Sequence, residues 1–230
     1  MKDTFRGFLD LLFPARCRVC GVFSKNILCS SCLDSFSFIH PPICKRCGKP
    51  CNIEVDFCRD CRNRYKFSTV RSLGCYEGNL KTAIHEFKYR NARGLAKVFG
   101  EAMVDLMNNF EEAELVTYVP LSRKKQLKRG YNQAQLVAKE IAKITNLPCG
   151  STLTRIVEEV DQAKLSCEQR GRNVKGVFVF NDKKNISGKS PLLIDDVFTT
   201  GSTVDECSKV LLKAGAKKVF VLTVARVANI

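Results

Sequence analysis

The sequence predicts an α/β protein with a mostly parallel, doubly wound sheet, preceded by a small cysteine-rich unit that needs metal to fold. Three observations lead there. From residue 70 onward, short apolar runs alternate with stretches of helical periodicity, the pattern of strand–helix–strand units. One of these runs, Leu192-Leu193-Ile194, ends in two adjacent acids and a hydroxyl-rich glycine loop, which is where ligands sit in open α/β sheets. Between Cys17 and Cys61 the cysteines recur as Cys-x-x-Cys pairs, the spacing at which a tight turn aims two sulfurs at one ion.

Composition bounds the rest. A chain of 230 residues with 45% hydrophobic and 27% charged residues can bury one substantial core and carry an appendage. No apolar run is long enough to span a bilayer. Met1 to Leu12 has Asp3 and Asp10 in or beside its apolar part and no small-residue cleavage site, so it does not read as a secretory signal. The expected location is therefore the cytoplasm, where thirteen cysteines favour metal over disulfides. The formal charge is +15, and two tetrathiolate zinc centres would lower it to about +11. Such a basic balance points to polyanions or phosphorylated substrates.

Two domains are expected, residues 1–64 and 69–230, joined at Tyr65 to Ser68. Phe5, Phe8, Leu9 and Leu12 recur at helical spacing, which predicts a short amphipathic helix over Thr4 to Phe13. Its stripe suits packing on the protein's own core, with a membrane surface or a partner as the other candidates. Cys17 and Cys20 go with Cys29 and Cys32, and Cys44 and Cys47 with Cys58 and Cys61. Four thiolates leave no open position for water, so the expectation is structural zinc, one or two ions. Cys51 is an extra thiol that leaves the second pairing open. Lys45, Arg46, Lys49, Arg59, Arg62 and Arg64 form either a solvated surface or a face for nucleic acid.

Further along, strands are predicted at Val70 to Glu77 and Leu115 to Pro120, and helices at Leu80 to Tyr89, Leu95 to Met107 and Asn132 to Thr145. His85 has no second histidine nearby, which argues against a metal role. Gln162 to Asn173 is polar and basic, Val177 to Phe180 reads as a strand, and Lys218 to Val224 as the closing strand. Between Leu115–Pro120 and the next helix, five cations fall in the seven positions 123 to 129. The run leaves the carboxyl end of a strand, so a mobile phosphate-binding loop is expected, with Arg123 and Arg129 the better ligands because guanidinium binds phosphate through two parallel hydrogen bonds.

The central string runs Leu192-Leu193-Ile194-Asp195-Asp196-Val197-Phe198-Thr199-Thr200-Gly201-Ser202-Thr203-Val204, with a helix continuing to about Ala214. Gly201 lets a ligand approach the backbone, and Thr199, Thr200, Ser202 and Thr203 can donate hydroxyls to a phosphate at a helix start. Asp195 and Asp196 would repel a phosphate; they suit sugar hydroxyls or a magnesium ion beside it. A plain strand–loop–helix connection with solvated acids has the same local pattern.

The string resembles the signature of the type I phosphoribosyltransferases, which use 5-phosphoribosyl 1-pyrophosphate (PRPP). Together with the cysteine pairs, Phe87-Lys88-Tyr89, Val119-Pro120-Leu121, Arg129-Gly130-Tyr131-Asn132-Gln133-Ala134 and the Gln162 to Asn173 segment, the chain resembles the ComF family of competence-associated, phosphoribosyltransferase-like proteins with an amino-terminal double zinc ribbon. The resemblance implies a type I phosphoribosyltransferase fold. It implies that Asp195 and Asp196 hold the ribose hydroxyls of PRPP, that Thr199 to Thr203 cradle its 5-phosphate, and that Arg123, Lys124, Arg129 and magnesium neutralise its pyrophosphate. Lys88, Tyr131, Asn132, Gln133 and Arg170 become candidate substrate or DNA contacts, with Tyr131 stacking on bases. The implied role is natural transformation: single-stranded DNA handled at the inner face of the membrane beside a helicase-like partner. Two functional classes follow, a transferase of unknown acceptor, in DNA uptake or in nucleotide or cofactor metabolism, and a DNA-binding module for which PRPP is a ligand.

Overall fold

Strands buried on both faces read as near-continuous apolar runs, and two such runs, at 191–194 and 219–222, lie side by side inside one sheet. The description covers residues 15–61, 64–157, 176–181 and 185–227 of a computed structural model. The helix expected at Thr4–Phe13, Arg62, and the Gln162–Asn173 segment with Arg170 lie outside these residues. In chain order the elements are α1 (Ser30–Asp34), β1 (Thr69–Cys75), α2 (Gly78–Tyr89), α3 (Leu95–Ala102), a 3-10 turn (Val104–Asn109), β2 (Leu115–Tyr118), α4 (Arg123–Arg129), α5 (Gln133–Thr145), β3 (Leu153–Arg155), β4 (Phe178–Phe180), β5 (Pro191–Phe198), α6 (Ser202–Lys213) and β6 (Phe220–Arg226). The main sheet has the order β1-β6-β5-β2 with every pairing parallel, and β3 and β4 form a separate antiparallel pair.

Alternation along the pleat sends successive side chains to two cores. Leu192, Ile194, Leu222 and Val224 face α2, α3 and α5 through Ile84, Phe87, Phe99, Val137 and Ile141. Leu193 and Val221 face α6 and the β3–β4 pair through Val204, Cys207, Leu211, Leu153 and Phe178. Helices therefore cover both faces, as expected. The cysteine-rich segment contributes to both cores as well: Cys17, Leu28, Cys32 and Phe36 to the first, Cys44, Cys47 and Cys61 to the second. Its backbone also lines the outer edge of β1. The Cys75 N–H donates to the Ser37 carbonyl at 2.8 Å, Ile39 N–H to Leu73 at 3.1 Å, and Val70 N–H to Arg46 at 2.8 Å. An exposed parallel edge is thereby covered.

Three elements differ from the sequence expectations. The run 123–129 is a helix rather than a mobile loop, because its ends are capped. The Ser122 hydroxyl accepts from Lys125 N–H at 3.3 Å, Gly130 closes the far end at φ 75°, and Lys128 and Arg129 sit where the helix dipole favours cations. The helix expected over Leu95–Met107 ends at Ala102 and tightens into the 3-10 turn, which brings Met103 and Phe110 into the core, the latter 5.6 Å from the Phe220 ring. Strand β3 was not anticipated, since three residues are too few to show a period. The last strand, β6, lies inside the sheet between β1 and β5.

Gly74 marks the point where β1, α2 and the cysteine-rich segment meet. A Cβ there would lie 2.7 Å from both the Leu80 side chain and the Ser37 carbonyl oxygen. Gly74→Ala should destabilise the zinc-loaded protein by about 1–3 kcal/mol, read as a lower Tm in thermal denaturation.

Candidate phosphate and metal sites

The carboxyl end of β5 brings Asp195 and Asp196 out of the core side by side. The Asp195 carboxylate accepts the backbone N–H of Asp196 at 2.8 Å. Asp196 is paired with Lys88 of α2, Nζ to Oδ1 at 2.8 Å, with side chains only 17% and 15% exposed. Burial pushes the Asp195 carboxyl up to about 7, helped by the neighbouring charge of Asp196 and opposed by Lys88 and Lys125. Burial works to lower the Lys88 ammonium, but its attraction to Asp196, the hydrogen bond between them and the nearby Asp195 outweigh this, and the net shift is upward. Two acids and one cation are thus grouped, partly shielded from solvent, at the end of β5.

Beyond β5 the chain turns at Thr199 and Thr200, and Gly201 takes φ +76° before α6 begins at Ser202. The Thr200 and Ser202 hydroxyls lie 2.9 Å apart, and Ser202 N–H donates to Thr200 Oγ1 at 3.4 Å. The first turn of a helix leaves N–H groups without carbonyl partners inside the helix, and the dipole favours an anion there. An aromatic floor lies under this loop. The Tyr65 hydroxyl donates to the Thr200 carbonyl at 3.0 Å, and the Tyr65 ring stacks on Phe67 at 4.7 Å and meets Phe198 edge-on at 6.1 Å. A Cβ at Gly201 would fall 2.7 Å from Phe198 and 2.8 Å from Tyr65, so only glycine fits.

Helix α4 stands close enough for its cations to act on these acids. The charge of Lys125 reaches Asp195, and that of Arg129 reaches Lys88. Arg129 donates to the Gln133 side-chain oxygen at 3.1 Å and to the Tyr89 hydroxyl at 3.4 Å. Arg123 lines a cleft of about 490 Å³ with Tyr118, Gln135 and Arg155. Sequence reasoning preferred Arg123, Lys124 and Arg129 and passed over Lys125; helical spacing from Ser122 would have drawn attention to it.

Tyr131, Asn132 and Gln133 are buried, so Tyr131 does not offer a ring to a base as expected. The Tyr131 hydroxyl donates to the Phe87 carbonyl, Gln133 Nε2 donates to the same oxygen at 3.3 Å, and Asn132 Nδ2 donates to Val119 at 2.9 Å. Tyr131 and Gln133 thereby fix the backbone next to Lys88. His85 packs against the Tyr89 ring at 4.8 Å.

Two groups of four cysteines converge, Cys17, Cys20, Cys29 and Cys32, and Cys44, Cys47, Cys58 and Cys61, each with all sulfurs within 4.8 Å of one another. Sulfur separations of 3.7 Å for Cys20–Cys29 and 3.5 Å for Cys44–Cys61 and Cys47–Cys58 approach the edge of a zinc tetrathiolate, about 3.8 Å for bonds of about 2.3 Å. Backbone N–H groups point at sulfur, from Val19 and Cys29 to Cys17 at 3.4 Å and from Cys58 to Cys44 at 3.2 Å. Burial alone would raise the Cys17 and Cys44 thiols, but backbone N–H groups, that of Cys20 foremost at Cys17 and that of Cys47 foremost at Cys44, outweigh it and bring them down to about 6 and about 7. The residues fit two structural zinc ions. Cys51 stays outside the second group, its thiol 3.3 Å from the Lys49 carbonyl.

The cations of the second ribbon largely meet acids of their own. Lys45 pairs with Glu54 at 3.4 Å and Asp56 at 3.2 Å, and Lys49 with Asp60. Arg46 donates to the Tyr65 carbonyl and lies over the Phe57 ring at 5.5 Å.

Because Asp195 holds its proton up to about pH 7 when folded and to the ordinary carboxylate range when unfolded, folding is penalised progressively as pH rises from about 4 to 7. Asp195→Asn should therefore raise the Tm of the ligand-free protein at pH 8, by about 3 °C or more, and do much less at pH 4. Calorimetric scans at the two pH values check this.

A family model described as "Double zinc ribbon domain" matches residues 8–69. Similar solved structures include a glutamine PRPP amidotransferase from Bacillus subtilis, at 22% identity over 57% of this chain and 26% of that longer chain, with a TM-score of 0.41. A hypoxanthine phosphoribosyltransferase from Staphylococcus aureus is similar at 14% identity over 57% of this chain and 62% of that one, with a TM-score of 0.35. Among curated relatives, the "DNA utilization protein YhgH" of Salmonella typhimurium is 27% identical, covering 94% of this chain and 99% of its own. "Competence protein ComFC" of Bacillus subtilis is 29% identical over 82% of this chain and 79% of its own. "Competence protein F" of Haemophilus influenzae is 31% identical, covering 88% of this chain and 92% of that one. With likeness at that level along almost the whole length of both proteins, the chain belongs to the ComF family.

Proposed function

We propose that this chain binds PRPP with magnesium at the end of β5 and acts in DNA uptake, handling incoming single-stranded DNA. The observation that carries the reading is the grouping of Asp195, Asp196 and Lys88 at the end of β5, beside a hydroxyl-rich loop that opens a helix. In this reading Asp195 and Asp196 accept hydrogen bonds from the ribose hydroxyls, and the loop from Thr199 to Thr203 receives the 5-phosphate. Arg123, Lys124, Lys125 and Arg129 of α4 face the pyrophosphate, and Lys88 remains to balance the acids. Magnesium, when bound with the ligand, supplies charge neutralisation at the pyrophosphate oxygens. The relatives' names, competence proteins and a DNA utilization protein, support the DNA-uptake role, and the formal charge of +15 suits a polyanion. Among the described residues no helix is long and apolar enough to cross a membrane.

The cleft beside Arg123 favours a second reading, in which an acceptor enters there and displaces pyrophosphate at ribose carbon 1. The chain would then be a phosphoribosyltransferase, in DNA uptake or in nucleotide or cofactor metabolism. Fixing the ribose and neutralising the leaving group are what the site offers to an oxocarbenium-like transition state.

Calorimetry with PRPP and magnesium tests the first reading. Binding is expected, and Asp196→Asn should weaken it about 100-fold, the worth of two charge-assisted hydrogen bonds. Unchanged affinity in Asp196→Asn overturns the assignment. Pyrophosphate release that needs both a cell extract and Asp196 identifies the transferase. Single-stranded DNA affinity should fall steeply with salt, and reversing Arg123 and Arg129 to Glu should flatten the salt slope by about 2 or more.

A further inference from the structure

The second cysteine group and the phosphate loop are physically joined, and the join runs through residues that neither site accounts for. Tyr65 lies four positions after Cys61, with its root held by the Arg64 N–H on the Cys61 carbonyl at 3.2 Å. Arg46, inside the Cys44–Cys47 turn, donates to the Tyr65 carbonyl. From there the Tyr65 hydroxyl reaches the Thr200 carbonyl at 3.0 Å, and the next residue's N–H, of Lys66, donates to Asp205 in the first turn of α6. Two consecutive residues therefore hold the loop at both ends.

A second path leaves the same centre. Buried Arg226, the last residue of β6, donates to the Cys47 carbonyl and lies over the Phe198 ring at 5.2 Å, and Phe198 is the residue that a Gly201 Cβ would strike. Cys47, Cys61, Tyr65, Phe198, Thr199 and Arg226 line one small enclosed space. The first cysteine group, by contrast, joins the core of α2, α3 and α5 on the opposite face of the sheet.

Resting on the PRPP reading above, we propose that the second cysteine centre and the phosphate loop are one coupled unit with Tyr65 as its positioning residue. Metal at Cys44, Cys47, Cys58 and Cys61 and a phosphoribose at Thr199–Thr203 each strengthen the binding of the other. The physical basis is that a metal-fixed root sets where the Tyr65 hydroxyl and ring stand, while the loop backbone has no space to move independently of that ring. Coupling of this kind is reciprocal by thermodynamic necessity. The arrangement gives the ribbon a role beyond stabilising the fold: loss of the metal, or oxidation of its thiolates, lowers affinity at the sugar site.

The test uses the full chain loaded with two equivalents of zinc, PRPP with magnesium as the probe, and a chelator with negligible magnesium affinity. Zinc loss is followed with and without the probe, and the phases are assigned with Cys29→Ser, which removes a first-centre ligand, or Cys58→Ser if that variant does not fold. The probe should slow loss from the second centre about fivefold or more and leave the first centre unchanged, as expected of an equilibrium coupling of ordinary size. Tyr65→Phe keeps the ring and loses only the bond to Thr200. It should retain two zinc ions, bind PRPP about fivefold more weakly by calorimetry, and lose most of the protection. PRPP binding without protection in the wild-type chain overturns the coupling alone, and protection undiminished in Tyr65→Phe overturns the role of Tyr65 as its positioning residue. No PRPP binding by the wild-type chain overturns the functional reading and the coupling together.

Discussion

Two carboxylates next to each other at the end of a buried strand repel one another and are partly shielded from water, and the groups beside them at the carboxyl end of the sheet answer that cost. The Lys88–Asp196 pair at 2.8 Å offsets part of it, while Asp195, on which Lys88 and Lys125 act only partly, is pushed up to about 7 by burial and the charge of Asp196. A buried ion pair works only if its geometry is held, and the holding is done from behind. The Tyr131 hydroxyl and the Gln133 amide both bond the carbonyl of Phe87, the residue before Lys88. The residual electrostatic tension is what the proposed ligand, through its hydroxyl donors, would relieve.

The amino-terminal cysteine-rich segment has a structural role that its size would not suggest. About 50 residues cannot supply a core of their own, and the two cysteine groups solve this by joining the two cores on opposite faces of the sheet. In doing so the intervening backbone closes the β1 edge through Ser37, Ile39 and Arg46. The second group then carries on into the aromatic floor of the phosphate loop, so the part of the chain that looks most detachable in sequence is built into the site.

Helix α4 shows how local chemistry decides conformation even in a highly charged run. Five cations within 123–129 argue for a solvated, open segment, but Ser122 and Gly130 cap both ends, and the cations are carried on a helix at a defined place. The capping residues were visible in the sequence, and the charge drew attention from them. Tyr131 illustrates the opposite error. An aromatic residue in a basic, polar motif reads as a stacking platform, yet at 7% exposure it is a buried brace.

Much of the fold and part of the site were legible because they depend on short-range order. Strand–helix alternation after residue 70, the Cys-x-x-Cys turns and the acid–loop–helix string at 195–203 are all local patterns, and backbone preference and side-chain chemistry act within a few residues. What acts across the chain was not legible. Lys88 finds Asp196 across 108 positions, Tyr65 finds Thr200 across 135, and Arg226 finds Cys47 across 179. By itself, then, the sequence determined the strand–helix alternation, the metal-binding chemistry and the acid–loop–helix string on which the proposed sugar site rests. Only the tertiary structure decided which cation balances the acids, which motif residues are buried and how the second cysteine centre meets the loop, because those outcomes follow from strand order and packing that no local pattern encodes.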